Sequence, residues 1–446
     1  MSESSGFFAR LNVIAKKKRQ TPTEYALGIS ALLTGVFFFT GANAVLTTLV
    51  VVRANELGFS AGVIGLLTSS YFAGFIGGCF FGGDVVARVG HIRAFAGLAG
   101  IATISALLYP ILPFAIIWLG LRVLSGFSHA ILQMTIESWL TTSSTPKTRS
   151  GFISIYRIVD LLSVTLAQFA LVIKDAGPFL LFSLIAISIC LSLSPVVFSK
   201  TTGPTQIAKS KPKVRRLMEI APMSGAAALG VGFVSAGFWG LSPVYLTNNG
   251  FPVNVVALFI SAVIVGGAIF QWPVGKLSDR LDRRLVIMGA AGGTLLICLL
   301  LPFAAGSVTA TLALGALFGG ALMPIYALSI SHASDAANPE EFVSIAGAVL
   351  LCFGVGAVLG PTFFSFVMQL FGNASLFVAM ATILAVLIGF GFWRRTEREA
   401  RDDADKDDFV IVTRSATPEV FELDPRSTEI SGDTPPTDKD YANSPA

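Results

Sequence analysis

Between Ala26 and Trp393 the chain is a succession of apolar runs separated by short polar segments. Several runs reach the roughly 18 residues at which an apolar stretch reads as a bilayer span and no longer as a core helix. The pattern predicts twelve spans, near residues 26–52, 61–83, 93–111, 114–140, 150–173, 177–198, 222–247, 254–275, 284–303, 307–332, 342–369 and 372–393. The first run, Ala26 to Val52, is much longer than a signal-peptide h-region of about 7–15 residues, so it is expected to remain as a membrane helix.

The spans repeat. The segment after the eighth reads Gly275-Lys276-Leu277-Ser278-Asp279-Arg280-Leu281-Asp282-Arg283-Arg284. About 192 residues earlier, after the second, stands Gly83-Asp84-Val85-Val86-Ala87-Arg88-Val89-Gly90-His91-Ile92-Arg93. Leu119-Gly120-Leu121-Arg122-Val123-Leu124-Ser125-Gly126 in the fourth span matches Leu312-Ala313-Leu314-Gly315-Ala316-Leu317-Phe318-Gly319 in the tenth, at an offset of 193. The fold class expected is an all-α membrane protein with twelve transmembrane helices in two pseudo-symmetric six-helix halves. Such duplicated halves hold a substrate site near the bilayer midplane and rock around it. The organisation expected is an N-tail (1–21), one half (22–198), a linker (199–221), the second half (222–396) and a tail (397–446).

Charge sharpens this picture. Only 13% of the 446 residues are charged and the mean hydropathy is +0.74, against about 25% charged in soluble domains. A soluble globular protein is excluded. The net charge of +4 forms no basic face of the kind nucleic acid requires. Instead 27 of the 31 Lys and Arg lie in the tails and the even-side loops, whereas the opposite loops hold only Arg53 and Lys174. The positive-inside rule then puts both termini in the cytoplasm of a multi-pass inner-membrane protein. Cys79, Cys190, Cys298 and Cys352 sit in apolar runs without metal-ligand spacing and read as small apolar side chains. Beyond Trp393 the tail carries Asp402-Asp403-Ala404-Asp405-Lys406-Asp407-Asp408 and a Ser/Thr/Pro-rich run. Its composition predicts disorder, with Phe409-Val410-Ile411-Val412 as a candidate docking segment.

Ionisable groups inside spans are costly unless paired or facing water, so each is a candidate for function. At 100° per residue, Arg122, Gly126, His129 and Gln133 share one face of the fourth span. Arg157, Asp160 and Gln168 share a face of the fifth, as do Thr40, Asn43 and Thr47 of the first. These stripes are expected to line a common cavity, with Trp239, Tyr245, Gln271, Trp272, Tyr326 and Ser329 from the second half. Bland readings stand beside these. Arg157 and Asp160 at i, i+3 neutralise each other, His129 donates to a carbonyl, and the aromatics pack. Glu137, near the end of the fourth span, is expected to pair with Arg88 or Arg93. Arg122 has no acid nearby on its own helix and is expected to face Arg157 and Asp160. That excess of cation predicts a ligand bearing carboxylate or phosphate. In the loop motif, Asp279 can pair with Arg280, Arg283 or a neighbouring helix end and latch one conformation, or simply anchor the loop.

These residues resemble the major facilitator superfamily. The motif around Gly275, Asp279, Arg280 and Arg283 is similar to that family's motif A, with Asp282 in place of a glycine. The copy around Gly83, Arg88 and Arg93 departs from it, with Ala87 in the aspartate position, His91 in an arginine position, and Asp84 nearby as a substitute. Arg122, Gly126 and Ala130 are similar to motif B. Three strings, Glu137-Ser138-Trp139-Leu140, Gln271 to Asp279, and Pro324 to Ala333, look like an orphan bacterial branch labelled YcaD-like. The resemblance covers about residues 22–396 and implies a transporter fold without naming a cargo. Ala167-Gln168 stands where drug/proton antiporters carry motif C, which counts against antiport.

The function expected is secondary active transport of a small organic solute by alternating access, with proton coupling through Asp160, Glu137 or His129 as an option. The alternative is a transporter-like sensor or assembly factor. No phosphate-binding loop supports ATP-driven pumping, and no cluster supports catalysis, so an enzyme is not expected. The partners expected are an anionic or amphipathic small molecule, the lipid bilayer and protons. The chain is expected to act as a monomer, without metal, cofactor or nucleic acid.

Overall fold

The computed structural model describes residues 22–143, 149–173, 177–198, 212–397 and 409. The expected N-tail, most of the linker and nearly all of the expected disordered tail lie outside the described residues. Twelve long helices follow one another: α1 Pro22–Glu56, α2 Ala61–Val89, α3 His91–Ile111, α4 Ala115–Ser143, α5 Arg149–Ala167 and α6 Pro178–Phe198 in the first half. The second half has α7 Pro222–Asn248, α8 Val253–Arg280, α9 Arg283–Leu300, α10 Val308–Ala336, α11 Phe342–Phe371 and α12 Ser375–Glu397. Eleven are long and apolar enough to span a bilayer among the described residues, and α6 contributes the apolar run Phe179–Leu193. A helix bonds its backbone groups internally, which is one of the two solutions hydrocarbon permits. Most helices outrun the predicted spans by a few residues. Two stop short and tighten into 3-10 segments: α5 ends at Ala167 before Gln168–Val172, and α9 ends at Leu300 before Leu301–Ala304.

Twelve crossings bring Pro22 and Glu397 to one face, called the terminal face here; the other is the distal face. Turns on the terminal face differ between the halves. Gly90 alone joins α2 to α3, at φ +85°, a conformation that strains any side chain with a Cβ. At the matching turn Asp282 keeps a negative φ and caps α9, accepting from the Arg284 N–H at 2.9 Å. Burial raises the Asp282 pKa, but the hydrogen bonds and charge of Arg284 outweigh that and hold it below the ordinary 3.8. A depressed carboxyl stabilises the fold above its unfolded pKa, and that contribution fades as pH falls through the folded value. Asp282→Ala is therefore expected to cost about 1 kcal/mol at neutral pH. The difference in detergent thermal melts should shrink below about pH 4.

The repeat is also a packing repeat. A Cβ on Gly126 of α4 would lie 2.9 Å from the carbonyl carbon of Tyr71 in α2, and one on Gly319 of α10 would lie 2.7 Å from that of Val263 in α8. The next contact repeats too: Gly74 against Val123 in the first half, Gly266 against Ala316 in the second. Without a hydrophobic drive between helices in lipid, such small residues let backbones approach and gain dispersion contact. The halves meet mainly through α2 against α11, α1 and α2 against α7, and α8 against α5 and its 3-10 extension.

Candidate functional site

Between the halves lies a cavity of about 220 Å³. The first half presents Thr40, Asn43 and Thr47 from α1, His129 and Gln133 from α4, Asp160 from α5 and Gln168 from its 3-10 extension. The second half presents Ser235 and Trp239 from α7, Gln271 from α8 and Tyr326 from α10. Apolar rings complete the wall, among them Phe75, Phe238, Phe318 and Phe353. On α1, α4 and α7 the polar positions recur at helical spacing, which is why one face of each collects them.

Neighbours hold several of these groups, while His129 Nδ1, Gln133 Oε1, Gln168 Oε1 and the Tyr326 hydroxyl are buried without a hydrogen-bond partner among the described residues. The Asn43 amide donates to the Tyr71 hydroxyl at 3.1 Å. His129 stacks on Phe39, with centroids 5.2 Å apart. Gln133 donates through Nε2 to Glu137 Oε1 at 3.1 Å and also to Tyr156, whose hydroxyl donates to the same Glu137 oxygen at 3.2 Å. Glu137 is fully buried. From the other half, Tyr326 sets its ring 4.9 Å from that of Phe353. The result is a buried polar cluster of Gln133, Tyr156 and Glu137, one side chain behind the cavity wall.

Three expectations need correction. Arg122 does not line the cavity. It is 1% exposed, donates from Nε to the Leu67 carbonyl at 3.2 Å, and lays its guanidinium 4.4 Å from the Tyr71 ring centre. A carbonyl and an aromatic face thus replace the expected acid. Arg157 also stands behind the wall, over the Tyr156 ring at 5.0 Å. Glu137 takes bonds from Gln133 and Tyr156, while Arg88 and Arg93 are exposed and make no ion pair among the described residues. Of the other proposed aromatics, Tyr245 packs edge-on against Phe377 and Trp272 is exposed under Lys276. Ser329 donates to the Ile325 carbonyl. Asp160 is therefore the charged side chain among the described residues lining the cavity.

Tyr71, Ser235 and Phe353 were missed. The repeat offset could have found much of the wall. Tyr71 and Val263, Phe72 and Ile264, His129 and Leu322, Gln133 and Tyr326, and Thr48 and Trp239 are pairs 191 to 193 residues apart, and every member lines the cavity.

The distal face is tied across the halves. Asn55 of α1 donates to Thr247 and Asn248 of α7, each at 3.1 Å, and about two turns deeper Ser69 of α2 meets Thr362 of α11 at 2.8 Å. On the terminal face Asp279 accepts from Arg283 at 3.5 Å, and Arg283, 1% exposed, pairs with Asp335 at 3.0 Å. Arg280 and Asp84 are exposed. Gly83 is half-buried.

A membrane-embedded bundle of two related halves around a central polar cavity defines a solute carrier. The chain belongs to the Major Facilitator Superfamily, whose sequence profile matches residues 31–225 and 224–428. It is 26% identical over 374 residues to the uncharacterized MFS-type transporter YcaD of Salmonella arizonae, covering 80% of this chain and 94% of that protein. The YcaD sequence of Salmonella typhi matches equally, with the same identity and coverage. Two solved structures share the fold at 16% identity. One is a bacterial homolog of the human lysosomal transporter Spinster in an inward-facing, unoccupied conformation, with TM-score 0.70 over 86% of this chain and all of that one. The other is the nucleoside transporter NupG, with TM-score 0.67 over 84% of this chain and all of that one. The chain is a multi-pass membrane transporter.

Proposed function

We propose that this transporter moves a small amphipathic organic solute, neutral or cationic, across the cytoplasmic membrane by alternating access, with both termini in the cytoplasm. The cavity wall carries the proposal. Trp239, Tyr326 and the phenylalanines offer flat apolar surface, Asn43, Gln133, Gln168 and Gln271 offer paired donors and acceptors, and Asp160 offers one negative charge. Such a mixture suits a planar body with a few polar groups. An anionic solute loses its support, because the two arginines expected to receive it stand behind the wall. Nucleosides, the solute class of one structural neighbour, combine a planar ring with hydroxyls and belong at the head of a test panel. Ties on the distal face favour a cavity that reaches the cytoplasmic side in this state. Proton coupling is part of the reading: Asp160 faces the solute, and Glu137 lies one residue behind it through Gln133.

Uptake into liposomes tests this with nucleosides, organic amines and carboxylates, with and without a pH gradient. Uptake of the neutral or cationic class is expected, driven by the gradient and losing the drive in Glu137→Gln. Carboxylate uptake would overturn the solute reading. The absence of uptake and of any solute-induced change in Trp239 fluorescence would favour a sensor. Orientation is checked in a variant lacking the four cysteines. Probes at Ser199 and Ser415 should react from the cytoplasm and a probe at Asn249 only from outside; a reversed pair would overturn the orientation.

A further inference from the structure

The end of α8 on the terminal face holds a ligand that no transport role explains. The backbone N–H of Phe409 donates to Asp279 Oδ1 at 3.1 Å. Its ring lies over Gly275, where a Cβ would come within 2.8 Å of the ring Cγ. The ring is half-buried and joins the apolar core. Gly275 and Asp279 are one helical turn apart on the same face, so they form a single site: a bare notch for an aromatic ring beside an acceptor for one backbone N–H. The occupant comes from 130 residues away along the chain.

Charge complements shape. Five aspartates fall within residues 402–408, immediately before Phe409, and the receiving segment exposes the cations Lys276 and Arg280. Attraction between such segments holds at close range and weakens with salt. Asp279 divides its carboxylate between the tail and Arg283, and Arg283 is fixed in turn by Asp335. Phe409 therefore fills the notch at Gly275 and shares the Asp279 carboxylate with Arg283.

We propose that the segment centred on Phe409 is an intramolecular peptide ligand of the Gly275–Asp279 site, which it occupies while the distal face is shut. The ligand class is an aromatic side chain with a free backbone N–H, preceded by acidic residues. A site filled by Phe409 is closed to the helix ends of the first half, so the terminal face shuts only when the tail departs. The tail thus biases the two states in proportion to its differential affinity for them. This inference rests on the alternating-access reading but not on any solute.

The test uses the full chain without its native cysteines, with spin labels at Leu57 and Phe371, both exposed on the distal face. Phe409→Ala is expected to raise the long-distance population at least twofold. A synthetic peptide spanning residues 402–412 should reverse the change in Phe409→Ala, but not in Gly275→Ala, whose Cβ fills the notch. High salt should weaken the peptide's effect. An unchanged distance distribution in Phe409→Ala, or a peptide that acts equally on both variants, would overturn the proposal. Failure of solute uptake alone would leave it standing, since the readout needs no solute.

Discussion

Placing valine at Gly319 is expected to remove most of the folded protein from the membrane. A Cβ there meets the Val263 peptide group, 2.7 Å from its carbon. Backbone of a packed helix cannot yield as a flexible side chain does. Overpacking costs about 1–3 kcal/mol and sometimes more, and two added methyls against a rigid carbonyl belong at the upper end. Total stability is only about 5–15 kcal/mol, so the detergent-extracted monodisperse fraction should fall several-fold. Gly126→Val should fail similarly, because its Cβ meets the Tyr71 peptide group in the same way. Gly289→Val is the control: a Cβ there meets nothing within 4 Å. Equal melting of Gly319→Val and Gly289→Val in size-exclusion thermal assays would refute the packing argument.

That pair of glycines shows how far the sequence carries. The offset of 193 between them is visible in the chain, and the structure gives it a cause: one α2–α4 contact built again as α8–α10. The spans were legible because an apolar run of bilayer length has few other uses. Their ends were less so, since a helix continues past the hydrocarbon until a turn stops it, as Gly90 does for α2. Nothing in Gln168–Val172 announces the tightening to a 3-10 turn.

Helical periodicity gathers Asn43, His129, Gln133, Asp160 and Gln168 on cavity-facing sides, but it misleads for Arg122. Angle alone groups Arg122 with Gln133, yet eleven residues separate them, about 16 Å along the axis. Depth puts Arg122 beside Leu67 and Tyr71, well away from the acids. A carbonyl and an aromatic face can hold a buried guanidinium, and neither leaves a mark in the sequence pattern. The docking of Phe409 lay at the same limit. Its apolar island stood out within an acidic tail, but the receiving notch is a tertiary feature.

Arg122 and Asp160 should therefore fail in different ways, and the contrast locates where the carrier reads charge. Asp160 faces the cavity, so Asp160→Asn should weaken binding of organic cations at least tenfold, equivalent to about 1.4 kcal/mol. Neutral solutes should change little. Arg122 touches the site through Tyr71, whose hydroxyl receives the Asn43 amide. Removing the guanidinium frees the Tyr71 ring and loosens Asn43, so Arg122→Gln should weaken neutral and cationic solutes alike. Arg122→Lys should not rescue it, because an ammonium lacks the planar face and the fixed Nε donor aimed at the Leu67 carbonyl. Tyr71→Phe should reproduce part of the loss by removing the acceptor for Asn43. Equilibrium binding of one neutral and one cationic solute to all four variants separates these roles. A gain in anion binding for Asp160→Asn that disappears in the Asp160→Asn, Arg122→Gln double variant would return Arg122 to the cavity wall. Equal weakening of both solutes in Asp160→Asn would remove Asp160 from charge selection and leave the amides and rings to discriminate.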